Sequence, residues 1–202
     1  MKRIVLLTRH PEPGEVKTRL IAALGKEGAA EVHRQLTEKT VGTLRSLPPD
    51  IGLDIYYSGG NNEAMRGWLG KDLHYINQPP GPLGHRLTLR AAEAFAGKTS
   101  RLLFIGSDCP TLTIGDLLQA FDVLEKNPVV LGPATDGGYY LIGLRFYEPR
   151  LFTGIPWGTT GVLAATLDRC RQLDLPYRLL PSRADVDRPE DLELLPMLQK
   201  IN

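Results

Sequence analysis

Short apolar runs rich in β-branched and aromatic residues recur along the chain at residues 3–8, 53–58, 102–105, 129–131, 139–144 and 177–180, the pattern of short buried strands. Between them lie stretches whose apolar residues return every three or four positions, as a helix packed on one side requires. The longest runs from about Lys26 to Leu47. It carries Ala29, Val32, Leu36, Thr40, Val41 and Leu44 on one stripe, and Pro48 and Pro49 end it, because proline lacks an N–H and clashes with the preceding turn. Further helices are predicted over residues 62–69, 83–96, 114–126, 161–173 and 189–200. Near-continuous hydrophobic strands separated by helices predict an α/β fold, a three-layer α/β/α sandwich with a mostly parallel central sheet. In such sheets ligands gather at the carboxyl ends of the strands.

Composition narrows the picture. The 202 residues, 42% hydrophobic, fit a single domain over residues 1–202. No internal repeat or low-complexity tract is present, and the Pro/Gly-rich residues 78–84 are too few for an interdomain linker. With 24 Lys+Arg against 23 Asp+Glu the net charge is +1, so a broad basic face for nucleic acid is not expected and any anion site must be local. The apolar run at Ile4–Leu7 is too short for a membrane span or a signal segment; a soluble, cytoplasmic protein with no membrane partner is expected. Cys109 and Cys170 are too few for a disulfide framework or a cysteine-based zinc site. The oligomeric state is left open.

Candidate chemistry follows the strands. After the first comes Pro11-Glu-Pro13-Gly14-Glu-Val-Lys17-Thr18-Arg19-Leu20, two cations where a loop turns into a helix. Free backbone N–H groups, the helix dipole and both charges would there meet a phosphate together, although two cations in a first turn also serve as plain surface charges. Val16 stands where a P-loop needs glycine, and no G-x-G-x-x-G opens a helix, so neither the Walker A nor the dinucleotide-binding loop is available. Residues Gly106-Ser107-Asp108-Cys109-Pro110 set a carboxylate at the end of another strand. Asp108 suits a hard divalent ion such as Mg²⁺ or Mn²⁺, or a turn, and Thr113 should cap the next helix. Cys109 reads as a packing residue.

Asp185 and Asp187 flank Val186 after the last strand. In an extended segment they point the same way and either could join Asp108 at one ion, while Asp187 could instead cap the helix opening at Pro189. Asp136, beside Gly137 and Gly138, marks a chain reversal between two strands and could stand at a site. Trp157 either walls a pocket or fills the core, and Thr159 or Thr160 can cap the helix that follows. The four histidines, His10, His33, His74 and His85, show no ligand-like spacing.

Taken in order, PEPGEVKTRL, IGSDCPTL, GPATDGGYYLIGL, PWGTTGVL and DVDRPEDL resemble the DUF2064 family of the GT-A nucleotide-diphospho-sugar transferase superfamily, from about Ile4 to Leu192. The resemblance implies a nucleotide cradled by Pro13, Gly14, Lys17, Thr18, Arg19, Gly84, Ser107 and Asp108, with Lys17 and Arg19 at phosphates. It also implies Asp108 as the metal-binding acid and Asp187 as a second ligand for Mg²⁺ or Mn²⁺. One departure is Pro82, where related sequences tend to carry an acid and proline offers neither a carboxylate nor a backbone donor. Three readings follow: a metal-dependent glycosyltransferase acting on a nucleotide-diphospho-sugar and a small-molecule acceptor, a nucleotidyltransferase releasing pyrophosphate, or a nucleotide-binding module without turnover. For the first, Lys17, Arg19 and Asp108 would stabilise the leaving group and Asp136 is the candidate base.

Overall fold

The computed structural model describes residues 1–198. Among them seven strands form one sheet: β1 (Lys2–Arg9), β2 (Ile51–Ser58), β3 (His74–Asn77), β4 (Arg101–Ile105), β5 (Val129–Pro133), β6 (Tyr139–Leu144) and β7 (Tyr177–Leu179). Their order is β3-β2-β1-β4-β6-β5-β7. Only β6 runs against its neighbours, pairing antiparallel with β4 and β5, so the sheet is mostly parallel as predicted.

Alternation along the strands sends side chains to two cores. Ile4 and Leu6 pack with α1 (Ile21–Arg45), α2 (Asn62–Leu69) and α4 (Ile114–Val123), whereas Val5 packs with α3 (Leu83–Ala96) and α5 (Val162–Gln172). Helices therefore cover both faces, the expected three layers. Arg90 of α3 and Arg3 of β1 both reach the fully buried Asp54 of β2, Arg3 Nη1 at 2.8 Å, which ties α3 to the sheet.

Several local expectations meet the structure differently. The long helix begins its regular course after Gly25, whose φ of 71° kinks α1, in keeping with a start at Lys26. β3 was not predicted. The segment at Pro189–Leu198 is a 3-10 helix rather than an α-helix, and positions 199 and 200 of the predicted helix lie outside the described residues. Thr113 caps α4 as expected, in a reciprocal capping box with Asp116. Neither Thr159 nor Thr160 caps α5, whose N-cap is Gly161. The Thr159 hydroxyl is taken up locally, donating to the Pro156 carbonyl and accepting from Gly161 N. Cys109 and Cys170 are both free and buried.

Candidate active site at the carboxyl edge of the sheet

A cavity of about 780 Å³ opens at the carboxyl ends of β1, β4 and β5. Four segments bring charge to it: Lys17 and Arg19 from the loop after β1, Asp108 after β4, Asp136 from the β5–β6 turn, and Asp185, Asp187 and Arg188 after β7. Its apolar wall is made by Leu83, Tyr139, Tyr140, Trp157 and Val162.

The segment after β7 reaches the site because hydrogen bonds run it along β5 and then across to β4. Leu180 N donates to Leu131 O, Arg183 N to Pro133 O, Thr135 N to Arg183 O, and Val186 N to Asp108 O at 2.9 Å. Arg183 Nη2 also donates to Asp116 Oδ1 at 2.7 Å. Val186 is fully buried, and with its side chain committed to the core, both flanking carboxylates line the cavity, as extended spacing predicts. Asp187 does not cap the following helix. Asp191, inside that helix, reaches back instead, its Oδ2 accepting from Asp187 N and Arg188 N, and the Asp187 carboxylate meets other partners.

Those partners are the two cations. Arg19 Nη1 donates to Asp187 Oδ2, and Lys17 Nζ lies 2.8 Å from Asp108 Oδ1, 3.9 Å from Asp187 Oδ1 and 2.6 Å from the Val186 carbonyl, to which it donates. Lys17 adopts a left-handed backbone, φ 46° and ψ 44°, uncommon for a residue with a Cβ. Its side chain is 4% exposed, against 45% for Asp108 and 52% for Arg19. Asp108 thus lies low in a walled depression yet opens to the cavity on the side away from Lys17. Burial pushes its carboxyl up, but Lys17, His33 and the Ser107 hydroxyl outweigh this and hold it below the usual carboxylate range. His33 itself is lowered by burial despite Asp108 nearby. Because a carbonyl only accepts, its Nε2, 2.9 Å from Arg9 O, carries the proton.

Asp185 behaves oppositely. Burial first, then the charges of Asp136 and Asp108, push its carboxyl up to about 6. Asp136 sits on the predicted reversal, its Oδ1 accepting from Gly138 N at 2.7 Å. Burial raises the Cys109 thiol, so this cavity-lining cysteine is no poised nucleophile.

Among the implied nucleotide contacts, Lys17, Thr18, Arg19 and Asp108 line the cavity. Ser107 is buried beside Asp108. Gly84 is buried under Trp157, where a Cβ would meet the indole Nε1 at 2.6 Å; Trp157 thus packs on α3 and faces the cavity at once. Gly14, at φ 87°, and Pro13 shape the loop outside the lining. Pro82 is the N-cap of α3, with φ −67°. Arg188, Tyr139 and Tyr140 were not singled out in the sequence, since a lone arginine or a tyrosine pair carries no spacing signal; Arg188 could have been found from its place directly after Asp187.

Carboxylate oxygens of this kind suit Mg²⁺ or Mn²⁺ rather than a softer ion. Asp108 and Asp187 both approach one point, that of Lys17 Nζ. Among the described residues no group of three or more His, Cys, Asp or Glu is arranged to hold a metal. Two carboxylates could supply only part of the ligand set of such an ion, whose other ligands would have to come from water and phosphate, as they commonly do for Mg²⁺. Among the described residues no helix is long and apolar enough to cross a membrane.

Solved structures share this architecture. A protein from Desulfovibrio desulfuricans G20, provisionally named a nucleotide-diphospho-sugar transferase, is 33% identical with a TM-score of 0.91, the match covering 100% of this chain and 90% of that one. Glucosyl-3-phosphoglycerate synthase from Mycobacterium tuberculosis, solved with Mn²⁺, UDP and glucosyl-3-phosphoglycerate, shares the fold at 16% identity and TM-score 0.59, over 100% of this chain and 77% of that one. A CMP:2-keto-3-deoxy-manno-octonic acid synthetase solved with CTP shares it at 13% identity and TM-score 0.58, over 98% of both chains. No curated protein matches the chain significantly. The family model described as "uncharacterized protein conserved in bacteria" matches residues 47–159, and with the Desulfovibrio relative it establishes that the chain belongs to the DUF2064 family.

Proposed function

We propose that this protein is a divalent-cation-assisted transferase acting on an activated nucleotide, in the first place a glycosyltransferase using a nucleotide-diphospho-sugar. The observation that carries the reading is the meeting of Lys17, Arg19 and Arg188 with Asp108, Asp136, Asp185 and Asp187 around one cavity at the carboxyl edge of the sheet. Cations matched to a diphosphate, beside carboxylates matched to a hard ion, are what breaking a sugar–diphosphate bond calls for. The relative named as a nucleotide-diphospho-sugar transferase supports the same reading.

In this scheme Arg19 and Arg188 contact the diphosphate, with Thr18 beside them and Pro13 and Gly14 shaping the loop. Lys17, Ser107 and Gly84 support that cradle. Asp108 and Asp187 hold Mg²⁺ or Mn²⁺, which when bound supplies charge neutralisation for the leaving diphosphate. Asp136 accepts the proton of the acceptor hydroxyl: one carboxylate oxygen is engaged by Gly138 N, and the other is left to act as base. Leu83 and Trp157 offer an apolar wall to the sugar or the small-molecule acceptor.

Product analysis tests the reading. Nucleotide sugars with a panel of hydroxyl acceptors and Mn²⁺ should yield free nucleoside diphosphate, lost in Asp108→Ala. Pyrophosphate released from a nucleoside triphosphate and a phosphorylated acceptor would replace glycosyl by nucleotidyl transfer, the chemistry suggested by the fold's likeness to the CTP-bound synthetase. Nucleotide binding without turnover on either panel would leave a binding module.

A further inference from the structure

The Lys17 ammonium donates one hydrogen bond, to the Val186 carbonyl, and is ion-paired with two carboxylates besides. The Val186 carbonyl is at 2.6 Å, Asp108 Oδ1 at 2.8 Å and Asp187 Oδ1 at 3.9 Å. With the side chain 4% exposed, the ammonium sits at the cavity wall with its charge engaged by protein oxygens. The chain accepts a left-handed residue at Lys17 to deliver it there, and non-glycine residues in that region carry a cost that the surroundings must offset. The two carboxylates it joins are the pair assigned above to the divalent ion.

An ammonium and a dication cannot share one gap between two carboxylates, because like charges a few ångströms apart repel strongly away from bulk water. We propose that Lys17 is a built-in competitor for the divalent ion, its ammonium holding the Asp108–Asp187 pair whenever the ion is absent. The inference rests on the reading of Asp108 and Asp187 as the ion's ligands. Two properties follow. Ion affinity is low in the nucleotide-free protein, since Lys17 occupies the gap between the two carboxylates and leaves only the cavity-facing edge of Asp108 open. Ion and phosphate then support each other's binding, because an ammonium displaced from the carboxylates becomes available to phosphate oxygens. This coupling is reciprocal, as linkage requires.

The test measures Mn²⁺ uptake by nucleotide-free protein, from the loss of the free-ion paramagnetic resonance signal, for wild type, Lys17→Met and Lys17→Arg. Lys17→Met should bind Mn²⁺ about tenfold or more tightly than wild type, and Lys17→Arg, which keeps the cation, should stay weak. Equal or weaker binding by a folded Lys17→Met overturns the competition and leaves the divalent-ion reading standing. If neither protein takes up Mn²⁺, with or without UDP, both fall together.

A second measurement needs no variant. Lys17 in the wild type should react slowly with a water-soluble acetylating reagent and faster at saturating Mn²⁺, read by peptide mass spectrometry, while the exposed Lys26 reacts at an unchanged rate. A Lys17 rate that ignores Mn²⁺ also overturns the proposal.

Discussion

Gly137 and Thr160 are in such close contact that a Cβ on Gly137 would lie 2.2 Å from the Thr160 carbonyl oxygen. Gly137 also holds φ 92°, and its own carbonyl accepts from Leu163 N at 2.9 Å. The turn that carries Asp136 is thereby fastened to the segment that carries Trp157 and opens α5. Two sides of the cavity are joined by these contacts. Gly137→Ala meets both a backbone clash and an unfavourable φ, and should cost about 2–4 kcal/mol in urea unfolding. Substrate binding should fall with it, because Asp136 is displaced.

Asp185→Asn should stabilise the protein at neutral and alkaline pH. The folded carboxyl titrates at about 6 against an ordinary value of 3.8, so the fold favours the protonated form, and ionisation costs stability as pH rises from about 4 through 6. Removing the charge recovers about 1–3 kcal/mol at pH 8 and nothing near pH 3. Urea midpoints of the two proteins at both pH values check this; a gain equal at both would refute it.

Asp116 acts at a distance from the cavity, through Arg183. Burial raises its carboxyl, but the bonds from Arg183 and Thr113 prevail and hold it low. A depressed folded pKa contributes stability that is complete above the ordinary carboxylate range and fades as pH falls through the folded value. Asp116→Ala removes both the capping box of α4 and the Arg183 anchor, for about 2–3 kcal/mol at pH 7. Urea unfolding across pH should show the loss shrinking in acid, and weaker nucleotide binding should accompany it as residues 183–187 loosen.

Arg19→Ala should weaken binding of a nucleoside diphosphate about tenfold, with the difference shrinking in high salt, since Arg19 is half exposed and its charge is screened. Asp108→Ala should instead remove the dependence of that binding on Mn²⁺. Calorimetric titrations with and without the ion separate the two effects. Identical behaviour of both variants would contradict the division of labour between cations and carboxylates.

Most of the sheet and all five α-helices of the described residues could be read from the chain, because a buried strand needs a continuous apolar run and a half-buried helix a 3.6-residue stripe. β3 escaped because His74–Asn77 is a four-residue edge strand with polar ends and one buried side chain, Tyr75, too short for any period to register. The caps divided for a local reason. Thr113 has its partner Asp116 three residues on, a pairing visible in sequence, whereas Thr159 lies two residues before the N-cap Gly161 and its oxygen accepts from Gly161 N, ahead of the helix.

The site was legible as a set of residue types at strand ends, and no further. Sequence alone determined that cations follow β1, that carboxylates follow β4 and β7, and that a glycine-bearing reversal holds Asp136, because such features depend on neighbours a few residues away. Which cation meets which carboxylate was decided by tertiary structure. Arg19 and Asp187 are 168 positions apart and meet only because residues 180–186 run along β5 and cross to Asp108, with Val186 sealed in the core. That same path, together with the left-handed turn at Lys17, puts the ammonium between two carboxylates, a long-range outcome that no local pattern encodes.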